Sequence, residues 1–212
     1  MTARLDHFAI AATDLASGTA WLEARLGVSL APGGAHPRMG THNRVLRLGD
    51  GVYLELIAID PAAPPPGRPR WFGLDEPGLA ALLAERPRLV AWVAATDDLA
   101  AAVAASPFPH GLVHEMTRGD LVWRITIPDD GRLVEGGAVP TLIEWPRDVH
   151  PTKRMPDAGC SLERLTVGHP EPERIAEGLA ALGLDDPTVQ VVPGAPSLAA
   201  ILVTPAGRVV LD

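Results

Sequence analysis

The chain has a single cysteine, Cys160, which excludes an internal disulfide framework and a cysteine-based zinc site. It has no apolar run approaching the ~20 residues of a membrane span. It also lacks a basic run, and its net charge is −8, from 18 basic and 26 acidic residues. That acidic balance argues against nucleic acid or an anionic membrane as the main partner. The amino terminus enters a mixed polar and apolar strand-like segment at once, so no signal peptide is read and a cytoplasmic location is expected. No G-x-S-x-G, Walker A or G-x-G-x-x-G motif occurs, which leaves serine hydrolase, P-loop and Rossmann readings without support. Glycine and proline, by contrast, are abundant at 21 and 22 of 212 residues. This falls short of the ~25–30% at which low-complexity disorder is the better reading.

Internal similarity organises the rest. LDHFAIAATDL, from Leu5 to Leu15, recurs as LVAWVAATDDL from Leu89 to Leu99, and a weaker echo, LERLTVGHPEPERIAEGLAALGL, begins at Leu162. Each copy opens with alternating apolar residues, as a half-buried strand does. Each then turns at residues suited to a helix start: Thr13-Asp14, Asp97-Asp98 or His169-Pro170. In the first helix Leu15, Trp21, Leu22 and Leu26 share a face, and Gly27 stands at a C-cap position. Ile175, Leu179 and Leu182 repeat that pattern, and His169 is expected to cap their helix.

Strand-like runs close each copy. They are Asn43–Leu48 and Tyr53–Ile59, then Val113–Thr117, Leu121–Ile127 and Thr141–Trp145, and finally Leu198–Thr204 and Arg208–Leu211. The chain therefore reads as an α+β protein of βαβββ units. The first spans 1–60, a proline-rich linker with a short helix 61–86, the second unit 87–150 and the third 160–212. Much of the glycine and proline is assigned to links and hairpins.

Alternation selects the candidate chemical residues. It places His7 with Leu5 and Ala9 on one face, and Asp6 with Phe8 and Ile10 on the helix side. Glu55 falls with Tyr53 and Ile57, and a carboxylate among apolar residues needs a partner. His7 and Glu55 suit a divalent metal, or equally a hydrogen-bonded pair without one. Of His42 and Asn43, one is expected to reach the same pocket. Leu46, Leu48, Ile125 and Ile127 read as helix-facing, which leaves Arg47 and Arg124 for the pocket, to hold a substrate anion or to pair with Glu144 or Glu55. Trp92, Trp123 and Trp145 read as core, with one available to wall a cavity. His150 reads as a loop histidine near the pocket mouth. His36, His110 and His114 are assigned no role, and Cys160 has no base beside it.

The segments LDHFAIAATDL, GTHNRVLRLGDGVYLELIAIDP (40–61), LVWRITIPDDG, PTLIEWP and the final LERLTVGHPEPE resemble the vicinal oxygen chelate superfamily, and within it the glyoxalase-like domain proteins. The resemblance implies that the first two units pair into a cupped, incomplete β-barrel with the third alongside. It implies a divalent metal (Zn, Ni, Mn or Fe) on His7 and Glu55, with Glu144 matching Glu55 in the second copy. Ala91 matches His7 there, so a four-ligand set is incomplete. In the third copy Arg164 and Leu211 stand at those places. The activity implied is that of a metal-assisted lyase, isomerase or dioxygenase on a small oxygen-rich molecule. Glu55 and Glu144 would be its carboxylates, and Asn43, His42, Arg47 and Arg124 its substrate contacts. The competing expectation is a drug- or metabolite-sequestering protein using the same pocket without metal. Superfamily members often dimerise, and the third unit's unpaired edge is the expected interface.

Overall fold

The computed structural model describes residues 2–212. Residue 1, where the first unit is expected to begin, lies outside them. The first unit consists of β1 (Ala3–Ala11), α1 (Leu15–Leu26), β2 (Ala31–His36), β3 (Thr41–Gly49) and β4 (Val52–Ile59). A connection follows that carries a 3-10 turn at Trp71–Gly73 and helix α2 (Pro77–Glu85). The second unit is β5 (Arg88–Thr96), α3 (Leu99–Ala105), β6 (Leu112–Arg118), β7 (Leu121–Ile127) and β8 (Thr141–Glu144). The third is β9 (Ser161–His169), α4 (Pro172–Ala181), β10 (Val189–Pro193), β11 (Ser197–Thr204) and β12 (Gly207–Leu211).

Local chemistry sets the helix ends. The Asp14 carboxylate accepts from the Ser17 amide at 2.9 Å and starts α1. Gly27, at φ 69°, ends it by donating its amide to the Glu23 carbonyl. Asp98 caps α3 in the same way, accepting from the Ala101 amide at 3.0 Å.

The first two units share one eight-stranded sheet, in the order β2-β3-β4-β1-β5-β8-β7-β6. Within each unit the first and last strands run parallel, and β1 joins the units by lying antiparallel to β5. The sheet curls into the expected cup. Its edge strands β2 and β6 come together without pairing, and Arg38, just past β2, donates to the Glu115 carbonyl of β6 at 2.7 Å.

One core lies outside the cup, where Phe8, Ile10, Leu22, Leu54 and Trp92 meet the helices and the third unit. A second core lines the inside and includes Val93, Trp123, Ile125 and Ile143. Here the sequence reading of β7 is corrected. Leu121, Trp123, Ile125 and Ile127 all face inward, and Val122 and Arg124 face out. Helix α3 is seven residues long and five of them are alanine, so it leaves the outer side of β7 to solvent.

The third unit repeats the element order but not the pairing. Its sheet runs β10-β9-β11-β12, with the first strand between the second and third. It is a second sheet packed on the outer core, tied to β1 where the Ala3 amide donates to the Leu182 carbonyl at 3.1 Å.

Candidate active site

The site begins with a fault in β1. Leu5 pairs with Ala94 and His7 with Val93, so Asp6 has no opposite residue and forms a β-bulge. The extra residue resets alternation. Leu5 joins Phe8 and Ile10 in the outer core, while His7 turns into the cup. Asp6 leaves the helix side predicted for it. Fully buried, it accepts from His7 Nδ1 at 2.6 Å, from Trp145 Nε1 at 2.9 Å and from His150 Nε2 at 3.1 Å. Burial by itself raises the Asp6 carboxyl, but the bonds from His150 and His7 outweigh it and hold the group at about 2.

With Nδ1–H given to Asp6, His7 presents Nε2 to the cavity, 3.8 Å from Glu55 Oε2. Its ring stacks on Tyr53 at 4.4 Å between centroids. Glu55 stands on β4 between Ala9 of β1 and Val45 of β3. Asn43 Nδ2 donates to Glu55 Oε1, and Asn43 Oδ1 accepts from the Gly34 amide at 2.9 Å. His36 closes this side. Its Nε2 lies 4.0 Å from Glu55 Oε1, and its Nδ1 is 3.0 Å from Thr41 Oγ1. Burial first, and the charge of Arg118 second, push His36 down to about 3, so it is a neutral imidazole.

Trp71, Phe72, Trp123, Trp145, Ile125 and Ile143 form the apolar part of the remaining wall, and Arg118 completes it. The space they leave is about 20 Å³, room for about one water molecule. Two rings come from the connection between units, where Phe72 takes a left-handed φ of 58° to point into the cup.

The sequence-selected residues divide accordingly. His7, Glu55 and Asn43 come together. His42 lies on the other face of β3, with Nδ1 4.0 Å from Asp60. Arg47 reaches the rim but pairs with Asp50 and, at 3.9 Å, with Asp157. Glu144 does not join Glu55. On β8, Leu142 faces the outer core and Ile143 the inner one, so Glu144 points outward. There it pairs with Arg124 and accepts from the Leu99 amide at 2.8 Å, at the start of α3. Trp123 and Trp145 wall the cavity, whereas Trp92 is packed in the outer core. His169 Nδ1 accepts from the Glu171 amide beside α4, at 3.1 Å.

Sequence reasoning assigned no site role to Asp6, His36 or Arg118, and placed His150 only as a loop histidine near the pocket mouth. Asp6 was hidden by the bulge. His36 ends the stretch APGGAH, which is absent from the strand-like runs of the sequence because of its glycines and proline, yet forms strand β2.

The expected metal set of His7, Glu55 and Glu144 is not assembled. His7 Nε2 and Glu55 supply two donors, the lone pair of His36 is directed to Asn43 Nδ2 at 3.5 Å, and Glu144 is on the opposite face. Among the described residues no three metal-capable side chains group closely enough to hold an ion.

None of the curated proteins compared matches the chain. Among solved structures, a hypothetical protein from Staphylococcus aureus is similar with a TM-score of 0.61 at 14% identity, covering 93% of this chain and 88% of that one. A methylmalonyl-CoA epimerase from Streptomyces coelicolor is similar at 18% identity and TM-score 0.42, covering 71% of this chain and 99% of its own. The Mycobacterium tuberculosis methylmalonyl-CoA epimerase has 20% identity and TM-score 0.42, with coverage of 67% and 87%. The model of the glyoxalase-like domain matches residues 5–183, most of the chain. With its cup built from two βαβββ units, this chain belongs to the glyoxalase-like domain family of the vicinal oxygen chelate superfamily.

Proposed function

We propose that the protein is a lyase or isomerase that moves a proton at carbon, acting on a small oxygen-rich organic molecule beside His7 and Glu55. The observation that carries this reading is the run from Asp6 through His7 to Glu55. Asp6 fixes the His7 tautomer, so a basic Nε2 and a carboxylate lie side by side, 3.8 Å apart, on one wall of a buried cavity. One takes a proton from a carbon next to a carbonyl and passes it across the 3.8 Å between Nε2 and Oε2, and the other, now protonated, returns it to the same carbon or its neighbour. Asn43 holds Glu55 at Oε1, and the aromatic wall keeps water from quenching the carbanion. Because only two metal donors converge, no step is assigned to a metal.

The test is proton exchange. The protein is incubated in D2O with a panel of 2-oxo and 2-hydroxy compounds, and loss of the carbon-bound proton is followed by NMR. Glu55→Gln and His7→Gln are expected to slow exchange by ~10²–10⁴-fold with the folded circular dichroism spectrum retained. Wild-type rates in both variants would overturn the assignment. The aromatic wall also favours a second reading, capture of a ligand without turnover. Saturable tryptophan quenching with no exchange across the panel is its signature.

A further inference from the structure

Arg118 is a charged side chain of the inner cavity for which the protein provides no partner. It ends β6 on the same side as Met116, facing the cup. It is only 9% exposed, and it makes no hydrogen bond or ion pair among the described residues. Arg38, Arg47, Arg70, Arg124 and Arg154 each have one. A guanidinium cannot shed its proton, and this one has no acceptor among the described residues, so water from the groove side is what satisfies its nitrogens. The groups its charge reaches are His36, which is neutral, and the Tyr53 hydroxyl. Room has been made for it all the same. A Cβ on Gly34 would stand 2.9 Å from Arg118 Cγ, so the glycine lets the side chain cross the seam between β2 and β6.

The position matters as much as the lack of a partner. Arg118 borders the inner cavity with His7, His36 and Glu55, and it also borders a surface groove of about 830 Å³ along the β2–β6 seam. A molecule passing from that groove towards Glu55 meets Arg118 first.

We propose that Arg118 is the anion-binding residue of this site and that the ligand is a carboxylate, its two oxygens on the guanidinium and its carbon chain directed to His7 and Glu55. The planar fork matches a carboxylate through two parallel bonds. A phosphate would bring more charge and a third oxygen, and this cavity has no second cation to meet them. The inference rests on the cavity being a ligand site, and it names the ligand class for the proposed proton transfer.

The experiment uses the full chain, with tryptophan quenching as the binding signal because Trp71, Trp123 and Trp145 line the cavity. The probes are 2-oxopropanoate, its methyl ester and inorganic phosphate. Saturable binding of the acid is expected, with ester and phosphate at least ~10-fold weaker, and with Arg118→Gln weakening the acid by ~10–100-fold. Equal affinity for acid and ester, or an unchanged affinity in the variant, overturns the proposal, and preference for phosphate overturns the ligand class. Melting without ligand gives an independent arm. Arg118→Met is expected to melt higher than wild type, since it removes an unpaired charge, and to lose the rise in melting temperature that the acid gives wild type. A lower melting point in Arg118→Met would mark Arg118 as structural. Acid binding that depends on Arg118 without proton exchange leaves this inference standing and removes the proton-transfer reading. Exchange that is indifferent to Arg118 does the reverse.

Discussion

Asp6, His36 and His110 are side chains whose protonation differs between the folded and unfolded chain. Burial lowers His36 to about 3 and His110 to about 4, from an ordinary 6.5. As pH falls below 6.5 the unfolded chain takes up both protons and the folded chain takes neither, so stability is lost on acidification. Each histidine contributes a slope of about 1.4 kcal/mol per pH unit until its folded value is reached. Asp6 adds a separate loss lower down. Its stabilisation is complete above 3.8 and disappears as pH falls towards 2. Urea unfolding at several pH values should therefore show stability declining from pH 6 to 4.5, and His110→Asn should remove about half the slope over that interval. A flat profile there would contradict the burial of both imidazoles. At this scale the sequence was partly legible. The shared face of His7 and Glu55 followed from simple alternation, the choice between His42 and Asn43 did not, and Asp6 needed knowledge of a bulge that no spacing rule announces.

Among the elements, β2 departs furthest from what its composition suggests. Pro32, Gly33 and Gly34 look like punctuation, but the missing side chains are what the site uses. A Cβ on Gly33 would fall 2.0 Å from Asn43 Oδ1 and 2.5 Å from the Asn43 carbonyl. Gly33→Ala must therefore displace Asn43 and release Glu55. The expected cost is about 1–3 kcal/mol in urea unfolding, together with a loss of proton exchange larger than the loss of stability explains. Full exchange activity in Gly33→Ala would show that Asn43 has no part in holding Glu55. The helices were more legible, because Asp14, Gly27 and Asp98 are strong local signals that act without tertiary context. Strand β7 was read with its faces exchanged, since alternation fixes which residues share a face but not which face a short alanine-rich helix will cover. Glu144 fell on the wrong side for a similar reason: Ala9 pairs with Glu55 where its counterpart Val93 pairs with Thr141, so matching Glu144 to Glu55 was off by three residues, and an odd offset inverts a strand.

Across the molecule, the repeat was legible, and so was the third unit's place alongside the paired first two. Its strand order was not: β9 pairs directly with β10 and lies between β10 and β11. The third unit is nonetheless part of the same outer core. Leu165, Val167, Leu198 and Leu202 are buried with Phe8, Leu54 and Trp92 in one continuous cluster. The chain should accordingly unfold as one unit. Melting followed by cup tryptophan fluorescence and by far-ultraviolet circular dichroism should give coincident transitions, and two separated transitions would show that the third unit is independent.

The closed cup has a consequence for kinetics. A space that admits about one water cannot receive a carboxylic acid until the seam or the 61–76 connection parts. Association is then gated by an opening step of the protein itself, as for any binding site that is competent only part of the time. In stopped-flow quenching, the observed rate should rise with acid concentration and then level off at the opening rate. Phe72→Gly, which removes a ring of the wall and suits the left-handed φ at that position, should raise that ceiling.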